Sequence, residues 1–342
     1  MSYTLTEKEN FKLLLDGQQP EWVPVFSFGP RSDGKPVPVM TVFPELLAAS
    51  TRAPGRAQDV FGVTYVPVAD AAGAKLPEPN NFILKDIRQW RDVIKAPDLS
   101  GIDWEAMAKR DLALTPIDRN ETMLCFGSHF GYFQYLMAFM GFNEGLCAMY
   151  EEPEEVKALM EYLCDFFCTV IESCIDYYKP EMYDMCDDIA AWNSPFISRE
   201  MYQELIKPFA ARQAKIAQDR GLPIYMHCCG HCEEFIDDWR EFGVSIWNPA
   251  QTVNDLAGIK EKYGNSFIIC GGWDGRDELL RPDITEAEVK DSVYRTIDKL
   301  APGGGYAFGG GFLGPVGDAE TAKKNRWLLE AADTYGRSFY KK

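Results

Sequence analysis

The chain has 342 residues, with 35 Lys and Arg against 52 Asp and Glu, a formal net charge of −17. That balance argues against an open nucleic-acid surface, because phosphate binding needs clustered positive charge. With 46% hydrophobic and 25% charged residues, the composition suits a globular protein with a large core and excludes a disordered chain.

No run of about 18 apolar residues is present, and the N-terminal MSYTLTEKENFK lacks the basic and apolar regions of a signal peptide. A cytoplasmic location without membrane contact is expected. Ten cysteines make up only about 3% of the chain, far below a secreted disulfide scaffold, so free thiols and metal ligands are the expectation. Cys164, Cys168 and Cys174 fall on an expected helix among Phe166, Phe167 and Ile171, where cysteine acts as a small buried hydrophobe.

In chain order, a helix over 6–15 comes first, and strand candidates follow at 23–28, 64–68, 124–128, 182–187, 224–227, 245–248, 267–270 and 306–308. Each ends in Gly, Pro, Asn, Asp or a His/Cys cluster. Between them lie amphipathic runs with recognisable starts: Ser198 before 199–220, Asn254 before 255–263, and Thr285 with Glu288 in capping-box spacing before 286–300. About eight βα units without repeat or linker predict an α/β fold, a single-domain TIM-type (β/α)8 barrel over residues 1–342. The N-terminal helix and residues 29–59 are read as additions to it. In such a barrel the site lies where the strands end.

The strand ends carry the following chemistry. His129 follows the third strand as a candidate for catalysis or substrate contact, against the plainer reading of a packed, hydrogen-bonded histidine. The fourth strand ends in Asp187-Asp188, a pair able to act as general acid/base, metal ligand or substrate acceptor. Adjacent residues point to opposite faces, so one of the two is expected in the cavity. After the fifth strand comes His227-Cys228-Cys229-Gly230-His231-Cys232, holding two of the three histidines. His227 and Cys229 are two apart, so extended backbone aims both to one side, where imidazole and thiolate can share one Zn²⁺. Cys270, closing the seventh strand, is the expected third ligand, with Cys228, Cys232 and Asp274 as substitutes. Cys229 and Cys232 also form a C-x-x-C, but a redox domain would need a compact mixed sheet around it.

Aromatic residues make up 13% of the chain and recur in the connecting segments. Phe28, Tyr132, Trp192, Trp273 and Phe308, with Asn193 and Asp274 as polar partners, are expected to bind a flat apolar substrate. Ordinary packing at the barrel end is the alternative. The runs Gly303–Gly305 and Gly309–Gly311 match no nucleotide fingerprint and imply close backbone approach.

The order Asp59-Val60-Phe61-Gly62-Val63, Asp86-Ile87 to Trp90, Pro97-Asp98, Tyr150-Glu151-Glu152-Pro153-Glu154, Asp187-Asp188, His227-x-Cys229-Gly230, Gly271-Gly272-Trp273-Asp274 and the Gly-rich last strand resembles the uroporphyrinogen decarboxylase superfamily. The resemblance covers nearly the whole chain and implies a single TIM barrel. True decarboxylases of that superfamily carry a Met-Arg-Gln-Ala-Gly-Arg stretch that holds a polycarboxylate; here the segment from Phe28 to Gly34 has one arginine, Arg31. His227-x-Cys229 is similar to the first half of the H-x-C…C zinc site of corrinoid-dependent methyltransferases, although the family's later cysteine is replaced by Gly309-Gly310-Gly311. The Pro-Asp, Trp and Glu-Glu-Pro-Glu segments are most similar to anaerobic O-demethylase methyltransferases. The resemblance therefore implies transfer of methyl from an aryl methyl ether to cob(I)alamin on a partner corrinoid protein, with zinc as Lewis acid. Methyl transfer from methylcobamide to a thiol, decarboxylation of a smaller acid, and a non-catalytic docking barrel are the rival readings.

Overall fold

The computed structural model describes residues 4–27, 29–31, 33–69, 73–128 and 131–341. Its strands are β1 Val39–Val42, β2 Ala57–Gln58, β3 Thr64–Pro67, β4 Lys75–Pro77, β5 Met123–Gly127, β6 Met182–Cys186, β7 Ile224–His227, β8 Val244–Ala250, β9 Ile268–Gly272 and β10 Tyr306–Gly309. Seven of them form one parallel sheet in the order β1-β5-β6-β7-β8-β9-β10. The Val25 segment runs parallel on the far side of β10, with Phe26 N–H donating to the Phe308 carbonyl at 2.7 Å and Phe308 N–H to that of Pro24 at 2.8 Å. Helices including Pro153–Tyr178, Lys207–Gln218 and Glu286–Leu300 surround the sheet. This is the expected TIM-type α/β fold.

Covered on both faces, such strands read as continuous apolar runs, and β5 (Met-Leu-Cys-Phe-Gly) is buried throughout. Their alternation is visible only in the packing. Phe26, Val39, Met123, Cys125, Met182, Tyr225, Ile246, Ile268, Cys270 and Ala307 pack together inside the barrel, and Phe11 and Leu14 of the helix Glu7–Leu15 join them. The intervening Leu124, Phe126, Tyr183, Met226, Trp247, Ile269 and Phe308 belong to the second cluster, shared with the helices. That helix starts as its sequence requires: Thr6 and Glu9 form a reciprocal capping box.

Four expectations are corrected. The run 64–68 is not a barrel strand, for β3 pairs antiparallel with β2 and β4 in a separate three-stranded sheet. The second barrel strand is β1, inside the segment read as an addition and short because Pro38 and Pro44 bracket it. Burial separates the two runs, since β1 is wholly buried while β3 is mostly part-exposed. The helix expected over 199–220 is two, Arg199–Leu205 and Lys207–Gln218, broken where Pro208 cannot donate an N–H. Asp255 rather than Asn254 caps Leu256–Tyr263. No helix of the described residues is long and apolar enough to cross a membrane.

Phe11 is wholly buried in the barrel interior. Phe11→Ala should therefore lower the unfolding free energy by about 3–5 kcal/mol, the usual cost of emptying a packed aromatic site, as read by urea denaturation.

Candidate active site

Strand register builds the site. Cys186 of β6 pairs with His227 of β7, and His227 with Asn248 of β8, so three side chains of like parity share one level where β6 and β7 end. Beyond them Asp188 and Cys229 enter from the following loops. The Cys229 N–H donates to Asp188 Oδ1 at 2.7 Å. Cys229 Sγ lies 3.7 Å from His227 Nε2, and Asp188 Oδ1 lies 4.0 Å from the same nitrogen. Cys186, Asp188 and His227 offer ligand atoms all within 4.8 Å of one another. Gln134 ties the cluster together, its Nε2 donating to Asp188 Oδ2 at 3.1 Å and its Oε1 accepting from the Cys186 thiol at 3.6 Å.

The two loops can approach because residue 230 is glycine. Its φ is +90°, and a Cβ there would stand 2.6 Å from the carbonyl oxygens of both Ala190 and Ala191. Asn254 fixes the same loop: its side chain accepts the N–H groups of Cys232 and Glu233 and donates to the Gly230 carbonyl. Burial holds the His227 ring below its ordinary pKa, while Asp188 and a hydrogen bond with Asn248 act in the opposite direction. The resulting neutral imidazole is the form that ligates a metal. Burial, reinforced by Asp188, pushes the Cys229 and Cys186 thiols up. A cation bound here would have to displace thiol protons.

The adjacent aspartates separate as parity predicts. Asp187 is buried and caps the helix Tyr132–Met140, accepting the N–H groups of Phe133 at 3.0 Å and Gln134 at 3.1 Å. Gly131 makes room for it, since a Cβ there would meet Asp187 Oδ1 at 2.4 Å. Burial pushes the Asp187 carboxyl up to about 7 against the pull of those two N–H groups, with Asp188 adding to the rise. Asp188 is the one that reaches the cavity.

That cavity has a volume of about 690 Å³. Asp188 and Cys229 line it together with the rings of Phe82, Phe133, Tyr135, Phe142 and Phe196 and with Asp59, Tyr65 and Lys75. Tyr65 and Lys75 come from β3 and β4, so the small antiparallel sheet forms one of its walls.

Of the residues expected at the site, His227, Cys229 and Asp188 come together. Cys270 does not join them: it is wholly buried in the apolar barrel interior, where burial pushes its thiol up. Among its expected substitutes, Cys228 and Cys232 are wholly buried, and Asp274 is paired with Arg276 at 2.7 Å. Cys229 and Cys232 are both free thiols. His129 and Phe28 lie outside the described residues. Tyr132 packs against Phe167 and Phe209, Phe308 is wholly buried, and Trp192 lies under the Arg276 guanidinium. The Asn193 carbonyl meets His231 Nδ1 at 3.2 Å. Trp273 and Asp274 border a different hollow, of about 310 Å³. Phe133 and Gln134 were not singled out in the sequence; that Asp187 would cap the helix opening at Tyr132 was the missing signal.

A family model for uroporphyrinogen decarboxylase (URO-D) matches residues 80–323. The chain belongs to the uroporphyrinogen decarboxylase family. Among solved structures, this family member is similar to a methyltransferase from Methanosarcina mazei, with a TM-score of 0.60 at 13% identity over 97% of this chain and 99% of that one. That likeness is one of fold. A weaker match, TM-score 0.40 at 13% identity over 63% of this chain and 74% of the other, is to xylanase B from Clostridium stercorarium F9. No curated protein matches.

Asp59 in the cavity wall supplies a pH test. Burial pushes its carboxyl up to about 6 from 3.8, although the N–H groups of Val63 and Phe61 and the Tyr65 hydroxyl favour the charged form. A carboxyl raised by folding contributes stability that is present below its unfolded pKa and lost as pH rises through the folded one. The unfolding free energy of Asp59→Asn should therefore fall less steeply than that of the wild type between pH about 4 and about 6. Parallel profiles in chemical denaturation would contradict this.

Proposed function

We propose that the protein is a cytoplasmic methyltransferase that takes the methyl group of a methoxylated aromatic and passes it to cob(I)alamin on a separate corrinoid protein. The observation that carries this reading is a nitrogen, sulfur and oxygen donor cluster at the edge of a cavity walled by aromatic rings. Membership of the family and likeness of fold to a methyltransferase support it.

The donor set fits zinc. A neutral imidazole and a thiol 3.7 Å apart, with a second thiol and a carboxylate beside them, form the borderline-soft mixture that Zn²⁺ prefers. His227 and Cys229 would hold the ion, with Cys186 or Asp188 in the place expected of Cys270. When bound, zinc supplies Lewis acidity to the ether oxygen, where negative charge develops as the methyl departs.

The chain's own residues supply the rest. Phe82, Phe133, Phe142 and Phe196 offer ring faces to a flat substrate and keep water from it. Asp188, oriented by Gln134 and the Cys229 N–H, is placed to steer the ring or to deliver a proton to the leaving oxygen. The carbon–oxygen bond breaks with its electron pair left on oxygen, and the bond to cobalt forms with the cobalt's own pair. The chemistry of the strong nucleophile thus belongs to the corrinoid.

A polycarboxylate decarboxylase is disfavoured by a specific observation. Arg31, the one arginine of the segment where such enzymes carry their clamp, is buried and bonded to Asp33 at 2.6 Å and Asp333 at 2.5 Å. Among the described residues, no arginine lines the cavity.

Incubated with a methoxylated aromatic and free cob(I)alamin, the protein should form methylcobalamin, followed by its absorbance, and the phenol in equal amount. Asp188→Ala and Cys229→Ala should each lower that rate by about a hundredfold, the upper range for groups that hold or orient a catalytic metal. Consumption of methylcobalamin that depends on an added thiol, with no phenol formed from the ether, would overturn the direction of transfer.

A further inference from the structure

Among the described residues lining the aromatic cavity, Lys75 is the one cation. It stands on β4, at the end of the helix Glu45–Arg52. Its ammonium donates to the Ser50 carbonyl at 2.6 Å and to the Ala53 carbonyl at 2.5 Å. An ammonium has three donors, so one hydrogen is left over. No carboxylate of the described residues lies within ion-pair distance of it, in a chain where 52 acidic residues outnumber 35 basic ones.

The acids that share the cavity are committed elsewhere. Asp59 accepts the N–H groups of Phe61 and Val63 at 2.9 Å each and takes a bond from Tyr65. Asp188 is held by Cys229 and Gln134. Lys75 therefore presents a partly buried positive charge, fixed by two backbone carbonyls, to a space lined largely by aromatic and apolar side chains. A charge removed from bulk water and lacking a counter-ion favours an anionic ligand.

We infer that Lys75 receives a carboxylate of the substrate, so that the preferred methyl donor is a methoxylated aromatic acid lying with its carboxylate at β4 and its methoxy group at Asp188 and Cys229. This inference rests on the reading of the cavity as a site for methoxylated aromatics, and it adds a specificity-determining residue on β4, apart from the loops that carry Asp188 and Cys229. The plainer role for Lys75, satisfying the last carbonyls of the helix Glu45–Arg52, would affect every ligand alike.

The test compares binding of 4-methoxybenzoate with that of the neutral 4-methoxyacetophenone by calorimetry at pH about 7, where the acid is ionised. The ligands need no corrinoid to bind. The wild type should prefer the acid, and Lys75→Met should weaken acid binding about ten- to a hundredfold, the range for losing a charged hydrogen bond, while leaving the ketone unchanged. Lys75→Arg should restore part of the preference. Equal weakening of both ligands, or no change in the acid's affinity, would overturn the inference and leave the aromatic site standing. Failure of both ligands to bind the wild type would overturn both readings.

Discussion

A parallel strand turns every second side chain toward the barrel interior, and where β6 and β7 end beside β8, that parity sets Cys186, His227 and Asn248 side by side. Register is costly to change in a sheet buried on both faces, because a slip of one residue exchanges its two faces. The position of His227 is therefore fixed by the apolar residues beneath it, Tyr225 inside and Met226 outside, rather than by anything at the site. Asn248 reaches the imidazole from the next strand and donates to the Cys270 carbonyl at 3.3 Å. Were His227 to hold a metal, this contact would orient its ring. The loops after β6 and β7 then add Asp188 and Cys229, joined by a 2.7 Å hydrogen bond from the Cys229 N–H.

Much of this was legible in the chain. Six of the seven strands of the parallel sheet could be read from short apolar runs, and the two-residue spacing of His227 and Cys229 indicated a shared ligand direction. Height along the barrel axis was not legible. Cys270 has inward parity, but its neighbours are Ile268, Tyr225 and Ala307, so it lies in the apolar interior rather than at the mouth. The aromatic rim failed for a related reason: Tyr132, Trp273 and Phe308 flank the right loops, yet each is packed away from the cavity. The rings that line it come largely from the helices after β5 and from the loop after β6. Their placement depends on tertiary contacts that local patterns do not encode.

Several motifs that carry the family resemblance have structural work to do. Pro153 opens the longest helix at its first position, where a missing N–H costs nothing. Asp86 caps a short turn through the Arg88 N–H, and the Trp90 indole donates to Glu155. Asp59 closes the turn ahead of β3 through Phe61 and Val63. The small sheet that follows is the part of the fold that the strand pattern misassigned. With Tyr65 and Lys75 it forms one wall of the cavity.

The central claim is that His227 and Cys229 hold one zinc ion. The direct measurement is metal content by elemental mass spectrometry on untagged protein, for the wild type, His227→Ala, Cys229→Ala and Cys270→Ala. The account predicts about one zinc per chain in the wild type and in Cys270→Ala, lost in the other two, as for a site of three protein ligands. A well-folded wild type that takes up no added zinc would contradict it.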